Sequence, residues 1–476
     1  MIFNSFQFIW LFPVIFFVYY GCSHLCKKNK GKISNILLLI ISYLLYMQWN
    51  PAYTLILFGV TLCTYVSAIV IDNKKAYGRK KYLIATAVIF SILPLVIFKY
   101  YDFIISIFNS LFSILGISNK LPGLNWAIPV GLSFFTFQAV GYLCDVYYQK
   151  IKAERDFLDY SLFVSFFPQI MSGPISKAAS LLPQIKAERV FDYSKAVQGL
   201  KWLLWGFFLK TVMADRLGLY VDTVYANYEY YSGATCLVAS LFYSFQIYGD
   251  FAGYSLMAIG VGRLLGFDLV NNFQRPYFAT SITEFWHRWH ISLSIWLRDY
   301  IYIPLGGSRC SALRRYWNLT VTFLVSGIWH GANWTFVVWG VMHGILQIIE
   351  KCFRLYKVEG GICRRAFRIA TTFLLVNITW IFFRSPSLGV AFDICTKIFS
   401  NFQGNIYTST NTSFALMLFS IIFVVTKEFV EEYYEERIKV FDNSNKIIRW
   451  AGYLIIFSSI LLFGVFDAGQ FIYVSF

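Results

Sequence analysis

Apolar segments as long as a bilayer is thick recur along almost the whole chain, and no other feature narrows its folding choices so far. A membrane-spanning helix needs about 20 largely apolar residues. Candidate segments lie near 3–20, 33–49, 52–71, 82–98, 100–116, 126–148, 159–175, 196–220, 235–263, 318–329 with 332–349, 366–384, 411–426 and 448–466. In lipid every backbone N–H and C=O must find its partner inside the protein, and a helix does so within one segment. The expected fold is therefore an all-α, polytopic integral membrane protein, with about eleven transmembrane helices and one or two re-entrant or interfacial pieces. No long polar stretch and no internal repeat interrupts this pattern, so 1–476 is expected to form a single domain.

Composition points the same way. Hydrophobic residues make up 58% and charged residues 14%, against roughly 45–50% and 25% in soluble domains. Such a chain has too few polar side chains to cover a water-facing surface, and the lipid bilayer is its expected surrounding. The net charge is +16, which in a soluble protein would suggest nucleic acid. Here the basic residues sit in short runs between apolar segments, as in cytoplasmic loops, and no nucleic-acid partner is expected. Nine cysteines in a chain of this length, several within apolar runs (Cys63, Cys236, Cys395) and none in a CxxC pair, read as free thiols. The apolar N-terminal stretch lacks a basic start and a small-residue cleavage site, so it is expected to be a retained helix.

The basic runs also give an orientation. Lys27, Lys28, Lys30 and Lys32 follow the first segment, and Lys74, Lys75, Arg79, Lys80 and Lys81 follow the third. Trp49, Asn50 and Pro51 form an uncharged turn between them. The positive-inside bias then places both basic loops in the cytoplasm, with the N-terminus and the turn outside. If 82–98, 100–116 and 126–148 all crossed, Lys150, Lys152 and Arg155 would lie outside. One of the three is thus expected not to be a full crossing, and 100–116 is the suspect. Arg364, Arg365 and Arg368 mark a further inside face.

Residues 272–310 differ from the rest. Ser281 and Glu284 form a capping-box pattern that opens a helix, which would carry Glu284, His287, Arg288, His290, Arg298 and Asp299 among several tryptophans. It is too polar for lipid and too aromatic for water, and is expected inside the bundle or in the interface, lining a polar cavity. Of the five histidines, four (His287, His290, His330, His343) cluster here and just beyond. Ionisable groups within a membrane are costly and mark function. The plain alternative for His330 is a neutral ring bonded to a backbone carbonyl. The flanking Gly327 and Gly331, which leave room around the ring, and the neighbouring histidines favour a functional role.

Other chemistries find less support. His287 and His290, spaced i, i+3, would share a helix face, and Glu284 with His287 matches half of a di-iron motif. The second half is missing and there is no HExxH, so no metal is expected. Neither GxSxG nor a phosphate-binding GxxxxGK[ST] occurs. A histidine base that activates a hydroxyl or thiol in a membrane cavity remains. Trp329, Asn333 and the Gly331 amide are candidate donors to a developing oxyanion. Asp250 and Arg298 are expected to pair within the bundle.

The stretches QIYGDFAGYSLMAIG (246–260), FWHRWHISLS (285–294), RDYIYIPLGG (298–307) and SGIWHGANW (326–334) resemble the membrane-bound O-acyltransferase family, nearest its branch in bacterial alginate O-acetylation. MIFNSF (1–6), PVGLSFFTFQ (129–138) and FPQIMSGPI (167–175) share the resemblance. The motifs are densest in 126–350, and 351–476 supplies C-terminal helices. The resemblance implies helices around a central tunnel, His330 as catalytic base and His290 as the second recurrent histidine. His287 stands where relatives often carry Arg. Asp250, Trp286, Arg298, Trp329, Asn333 and His343 become tunnel-lining candidates. It further implies a multi-pass protein of the bacterial cell membrane, no bound cofactor, acetyl-CoA as donor and a polysaccharide acceptor. A separate extracytoplasmic acetyltransferase or esterase-like partner would carry the serine nucleophile this chain lacks. Alternatives are D-alanyl transfer from a carrier protein towards teichoic acid, a polytopic transporter, which would show symmetric halves, and an inactive membrane scaffold.

Overall fold

The computed structural model describes residues 3, 5–25, 30–73, 78–355, 361–434, 443 and 445–466. Lys27, Lys28, Lys74 and Lys75, used above for orientation, lie outside the described residues. The described residues are helical, without strands. Among the described residues five helices are long and apolar enough to cross a membrane: Pro51–Asp72, Lys80–Ile114, Ile362–Arg384, Asn411–Tyr434 and Lys446–Phe463. Gln7–Cys22 and Gly31–Met47 are shorter apolar helices. Their outward side chains, such as Leu55, Phe90, Ile422 and Leu462, are large, apolar and exposed, as a lipid-facing surface requires.

Several segments fold differently from their hydropathy. Segments 82–98 and 100–116 are one continuous 35-residue helix, Lys80–Ile114. Pro94 has no N–H to donate and is followed by a π-helical stretch, Val96–Tyr100, that absorbs the mismatch without reversing the chain. Residues 100–116 are therefore no separate crossing. Segment 159–175 is broken into Phe157–Ser165 and Phe167–Ile170, because the backbone around Pro168 resists a continued helix. The helix expected over 126–148 starts only at Leu132, after Gly131 takes a left-handed φ of 73°. Two shorter helices, Ala178–Lys186 and Leu388–Ser400, were not legible as apolar runs.

The interior is built on two long helical runs. Residues 193–226 form one run with a π-helical middle, Phe208–Ala214, packed on Gly233–Leu264. Glycines set their separation. A Cβ at Gly199 would stand 2.7 Å from the Gly260 carbonyl oxygen, and one at Gly206 2.7 Å from that of Gly253. Small residues are what bring membrane helices into such contact. Lys210 is buried at this crossing, with its ammonium 2.5 Å from both Asp215 and Asp250. The expected Asp250–Arg298 pair does not form: Arg298 is half exposed and binds Asp299 at 2.8 Å. Asp250 instead faces the helix it packs on, where the nearest cation is Lys210.

Polar contacts sort the helix ends onto two faces. On one, Arg155 binds Asp72 at 2.7 Å, Lys32 binds Asp156 at 3.2 Å and Lys186 binds Glu154 at 2.6 Å. Lys150 lies over the Tyr300 ring, and Lys177 pairs with Asp299, which joins 298–302 to this basic face. On the other, Tyr46 and Tyr53, which flank the Trp49–Asn50 turn, donate to the carbonyls of Val130 and Ala127. Asn333 meets Pro386 there as well. The Leu132–Tyr147 helix thus returns Lys150, Lys152 and Arg155 to the side of Lys32 and Asp72, which removes the break in the charge alternation.

Candidate active site

His330 is the last residue of the Ala312–His330 helix, which turns back through Gly331–Asn333 into Trp334–Cys352. The hairpin closes on glycine. A Cβ at Gly327 would lie 2.3 Å from the Phe336 carbonyl oxygen, and one at Gly331 2.1 Å from the Phe336 ring. Phe336 therefore fills the room that these glycines were expected to leave open around the imidazole. The His330 ring is buried and edged by Trp329, Trp339 and Phe383, at centroid distances of 4.9, 5.1 and 5.1 Å.

One side of His330 lines a cavity of about 30 Å³, room for no more than a water or two. Residues 128–134, Met171, Trp329 and Lys99 complete its wall. Lys99, from the π-helical stretch of the Lys80–Ile114 helix, is buried, and its ammonium donates to the Trp329 carbonyl at 2.7 Å. Next to it Tyr100 donates to the Ile328 carbonyl at 2.9 Å. Both occupy carbonyls that a helix C-terminus leaves unpaired. Sequence reasoning passed over Lys99, although a lone lysine inside an apolar run was a readable signal.

The single helix expected from Ser281 onward is two, Ile282–Arg288 and Ile291–Leu297. His290 sits at the break with φ 44°, ψ 53°, in the left-handed region. His287 and His290 consequently do not share a helix face. The forward half of the capping box forms, with Ser281 Oγ accepting from the Glu284 amide at 3.0 Å, while Glu284 reaches back one residue past the cap, to the Thr280 amide at 2.8 Å. Burial works against the charge on Glu284, but the Thr280 hydroxyl and amide and the Arg288 guanidinium outweigh it and hold the acid below its ordinary range. Arg288 also binds Glu432 at 2.9 Å, as does Arg275 at 2.8 Å, anchoring the first short helix to the Asn411–Tyr434 helix.

Asn272 explains the break. Its side-chain oxygen accepts from the Ser292 amide and hydroxyl, at 3.1 and 2.9 Å, and lies 3.3 Å from His290 Nδ1. Its backbone carbonyl takes the Ile291 amide at 2.9 Å. Because that side-chain oxygen is an acceptor, the proton of neutral His290 sits on Nδ1 and the lone pair on Nε2. The His290 ring is 6.5 Å from that of His330 and 4.5 Å from Phe251. Asn272 and Ser292 carry no role in the sequence reading, since the contact that joins them lies across 20 residues and forms only because the helix breaks at His290.

His343 is held differently. Trp286 donates its indole N–H to His343 Nδ1 at 3.2 Å, and Nε2 lies 3.0 Å from the Thr379 hydroxyl, which itself donates to the Val376 carbonyl. An indole is only a donor, so His343 carries its proton on Nε2 and both nitrogens are used. Trp339 stands between the His343 and His330 rings. Asn333 caps the next helix through Thr335 and donates to Pro386, and the Gly331 amide bonds back to Gly327. The structure thus gathers His330, His290, Trp329, Trp286 and His343 into one aromatic cluster, and leaves Asp250, Arg298 and Asn333 outside it.

A larger cavity of about 390 Å³ opens beyond Trp286, lined by His287, Arg298, Tyr302, Gln347 and Lys351 among others. Arg298 and Tyr302 place it at the basic face, whereas the His330 cavity adjoins the residues bonded to Tyr46. A model of the membrane-bound O-acyltransferase family matches residues 2–359. The chain belongs to that family. This membrane-bound O-acyltransferase is 36% identical over 403 residues to the "Probable alginate O-acetylase AlgI" of Azotobacter vinelandii, covering 84% of this chain and 78% of that one. It is 33% identical over 421 residues to the peptidoglycan O-acetyltransferase of Helicobacter pylori, covering 83% and 79%. The teichoic acid D-alanyltransferase of Streptococcus thermophilus is 29% identical over 234 residues, covering 46% and 56%.

The two histidines differ in what their removal should do. His290→Ala takes away the ring bonded to Asn272 beside His330, and its turnover is expected to fall about 100-fold or more, the scale of a lost acid–base group. His287→Ala only alters the wall of the larger cavity, and less than a tenfold loss is expected on the same scale. Acetyl transfer assayed at equal membrane abundance checks the ranking, and the reverse order would remove His290 from the chemistry.

Proposed function

We propose that this membrane-bound O-acyltransferase takes an acetyl group from a cytoplasmic donor, acetyl-CoA, and passes it across the membrane for O-acetylation of an extracytoplasmic polysaccharide. His330 is the catalytic base. The observation that carries the reading is the buried His330 on the wall of a small cavity towards one face, with a separate basic-lined cavity at the other. The positive-inside bias makes the basic face cytoplasmic. His287, Arg298 and Lys351 suit the phosphates of acetyl-CoA, and the cavity's apolar wall suits its pantetheine arm. In this reading the protein is a multi-pass component of the bacterial cell membrane with about eleven crossings, and the broken segments 157–170 and 282–297 are its re-entrant or interfacial pieces.

In this reaction the neutral His330 imidazole takes the proton of an attacking hydroxyl, whose oxygen adds to the thioester carbonyl. The tetrahedral intermediate collapses, the C–S bond breaks and the thiolate leaves as CoA–SH with the proton that His330 returns. No bound cofactor takes part. The names of the alginate and peptidoglycan relatives support an acetyl group and a glycan over D-alanine, whose enzyme matches less of the chain.

The hydroxyl that attacks first belongs to an extracytoplasmic, esterase-like partner, whose serine then hands the acetyl group to the sugar. Purified alone with acetyl-CoA, this chain is expected to leave the polysaccharide unmodified, and adding the partner is expected to start ester formation. Ester-bound acetate released by mild base measures both. Robust polymer acetylation by the isolated chain would move glycan recognition into its own outer face.

A further inference from the structure

Lys99 is a cation in a place where a membrane protein rarely keeps one. It is 7% exposed, in the middle of an apolar 35-residue helix. Among the described residues no carboxylate lies within ion-pair distance of it. Its one hydrogen bond among the described residues goes to the Trp329 carbonyl, and its ammonium stands 5.9 Å from the centre of the Trp329 ring. Capping a helix end does not require a charge: Tyr100 binds the neighbouring Ile328 carbonyl with a hydroxyl. The ammonium has two further N–H donors, and Lys99 lines the same small cavity as His330. The indole N–H of Trp329, on the same wall, is buried and has no acceptor among the described residues.

A buried ammonium without a counter-ion is placed to stabilise an anion that forms beside it during the reaction. We propose that Lys99 supplies the positive charge that stabilises the oxyanion formed beside His330, with the Trp329 indole as second donor. This rests on the reading of His330 as the base in acyl transfer. When the hydroxyl oxygen adds to the acetyl carbonyl, the carbonyl π pair moves onto oxygen. Lys99 Nζ and Trp329 Nε1 donate hydrogen bonds to that oxygen. As the intermediate collapses, the pair returns to the C=O bond and the thiolate leaves, while Lys99 keeps all its protons. The two donors thus act where charge develops and the imidazole acts where the proton moves.

The test uses native membranes, which hold the full chain and its partner, with acetyl-CoA as the probe. Lys99→Gln keeps a donor for the Trp329 carbonyl and removes the charge. Its kcat is expected to fall about 10²–10³-fold, the scale of a lost oxyanion donor, with KM for acetyl-CoA within about twofold. Lys99→Arg is expected to stay within about tenfold of wild type on the same scale. Tyr100→Phe, which loosens the same helix end without touching the charge, is expected to keep wild-type kcat. Wild-type kcat in Lys99→Gln, equal losses in the Gln and Arg variants, or a loss in Tyr100→Phe matching that of Lys99→Gln would each overturn the proposal. So would the failure of both Lys99→Gln and Lys99→Met to accumulate in the membrane, which would make Lys99 a folding contact. An inactive His330→Ala beside a fully active Lys99→Gln would reject this role alone, whereas an active His330→Ala would reject the acyl-transfer reading of the whole cavity.

Discussion

His330→Ala is expected to abolish acetylation of the polysaccharide while the protein stays at its normal level in the membrane. The side chain ends a helix, so its loss shortens no crossing and leaves the Gly327 and Gly331 contacts with Phe336 in place. The imidazole removed is the one that would accept the proton from the attacking hydroxyl, and losing such a group costs about 10²–10⁴-fold. The void left among Trp329, Trp339 and Phe383 is expected to lower stability by roughly 1–3 kcal/mol, a common range for point mutants. Ester-bound acetate per unit of polymer, compared at matched membrane abundance, reads the effect. Unchanged acetylation would show that the proton leaves by another route.

The largest expected effect on stability is at Lys210. Lys210→Met leaves the Asp215 and Asp250 carboxylates buried at the helix crossing without the ammonium they share at 2.5 Å. Removing one partner of a buried ion pair costs about 3–5 kcal/mol, a large part of the roughly 5–15 kcal/mol that holds a typical protein folded. The variant is expected to unfold at clearly lower temperature in detergent and to be depleted from membranes. Combining Lys210→Met with Asp215→Leu and Asp250→Leu is expected to recover much of the loss, because apolar replacement of a buried ion cluster is often neutral. A Lys210→Met protein as heat-stable as wild type would mean that the carboxylates find protons or other cations at little cost.

The sequence announced the helical membrane class through apolar length alone, and it placed His330 and His290 where the family motifs recur. The breaks were harder to read. Hydropathy counts apolar residues and is blind to the backbone, so it divided Lys80–Ile114 in two, where Pro94 is absorbed by a π-helical stretch. It also ran 159–175 together across the turn that Pro168 imposes. A helical spacing of His287 and His290 presumed a continuous helix, whereas Asn272, distant in sequence, captures the Ser292 and Ile291 amides and opens the chain at His290. Buried charge partners are equally non-local. The sequence reading pairs Asp250 with Arg298, whereas the helix packed against Asp250 carries Lys210.

Sidedness is the central claim, and one reconstitution addresses it. Proteoliposomes containing the chain and the extracytoplasmic partner proposed for it, sorted by orientation, would receive radiolabelled acetyl-CoA only on the face that carries Lys32, Arg155, Arg298 and Lys351. Labelled ester is predicted on polysaccharide supplied to the opposite face, with none when His330→Ala replaces the wild-type chain. Labelled ester formed when acetyl-CoA is offered only to the face of the Trp49–Asn50 turn, or formed equally with His330→Ala, would contradict the account.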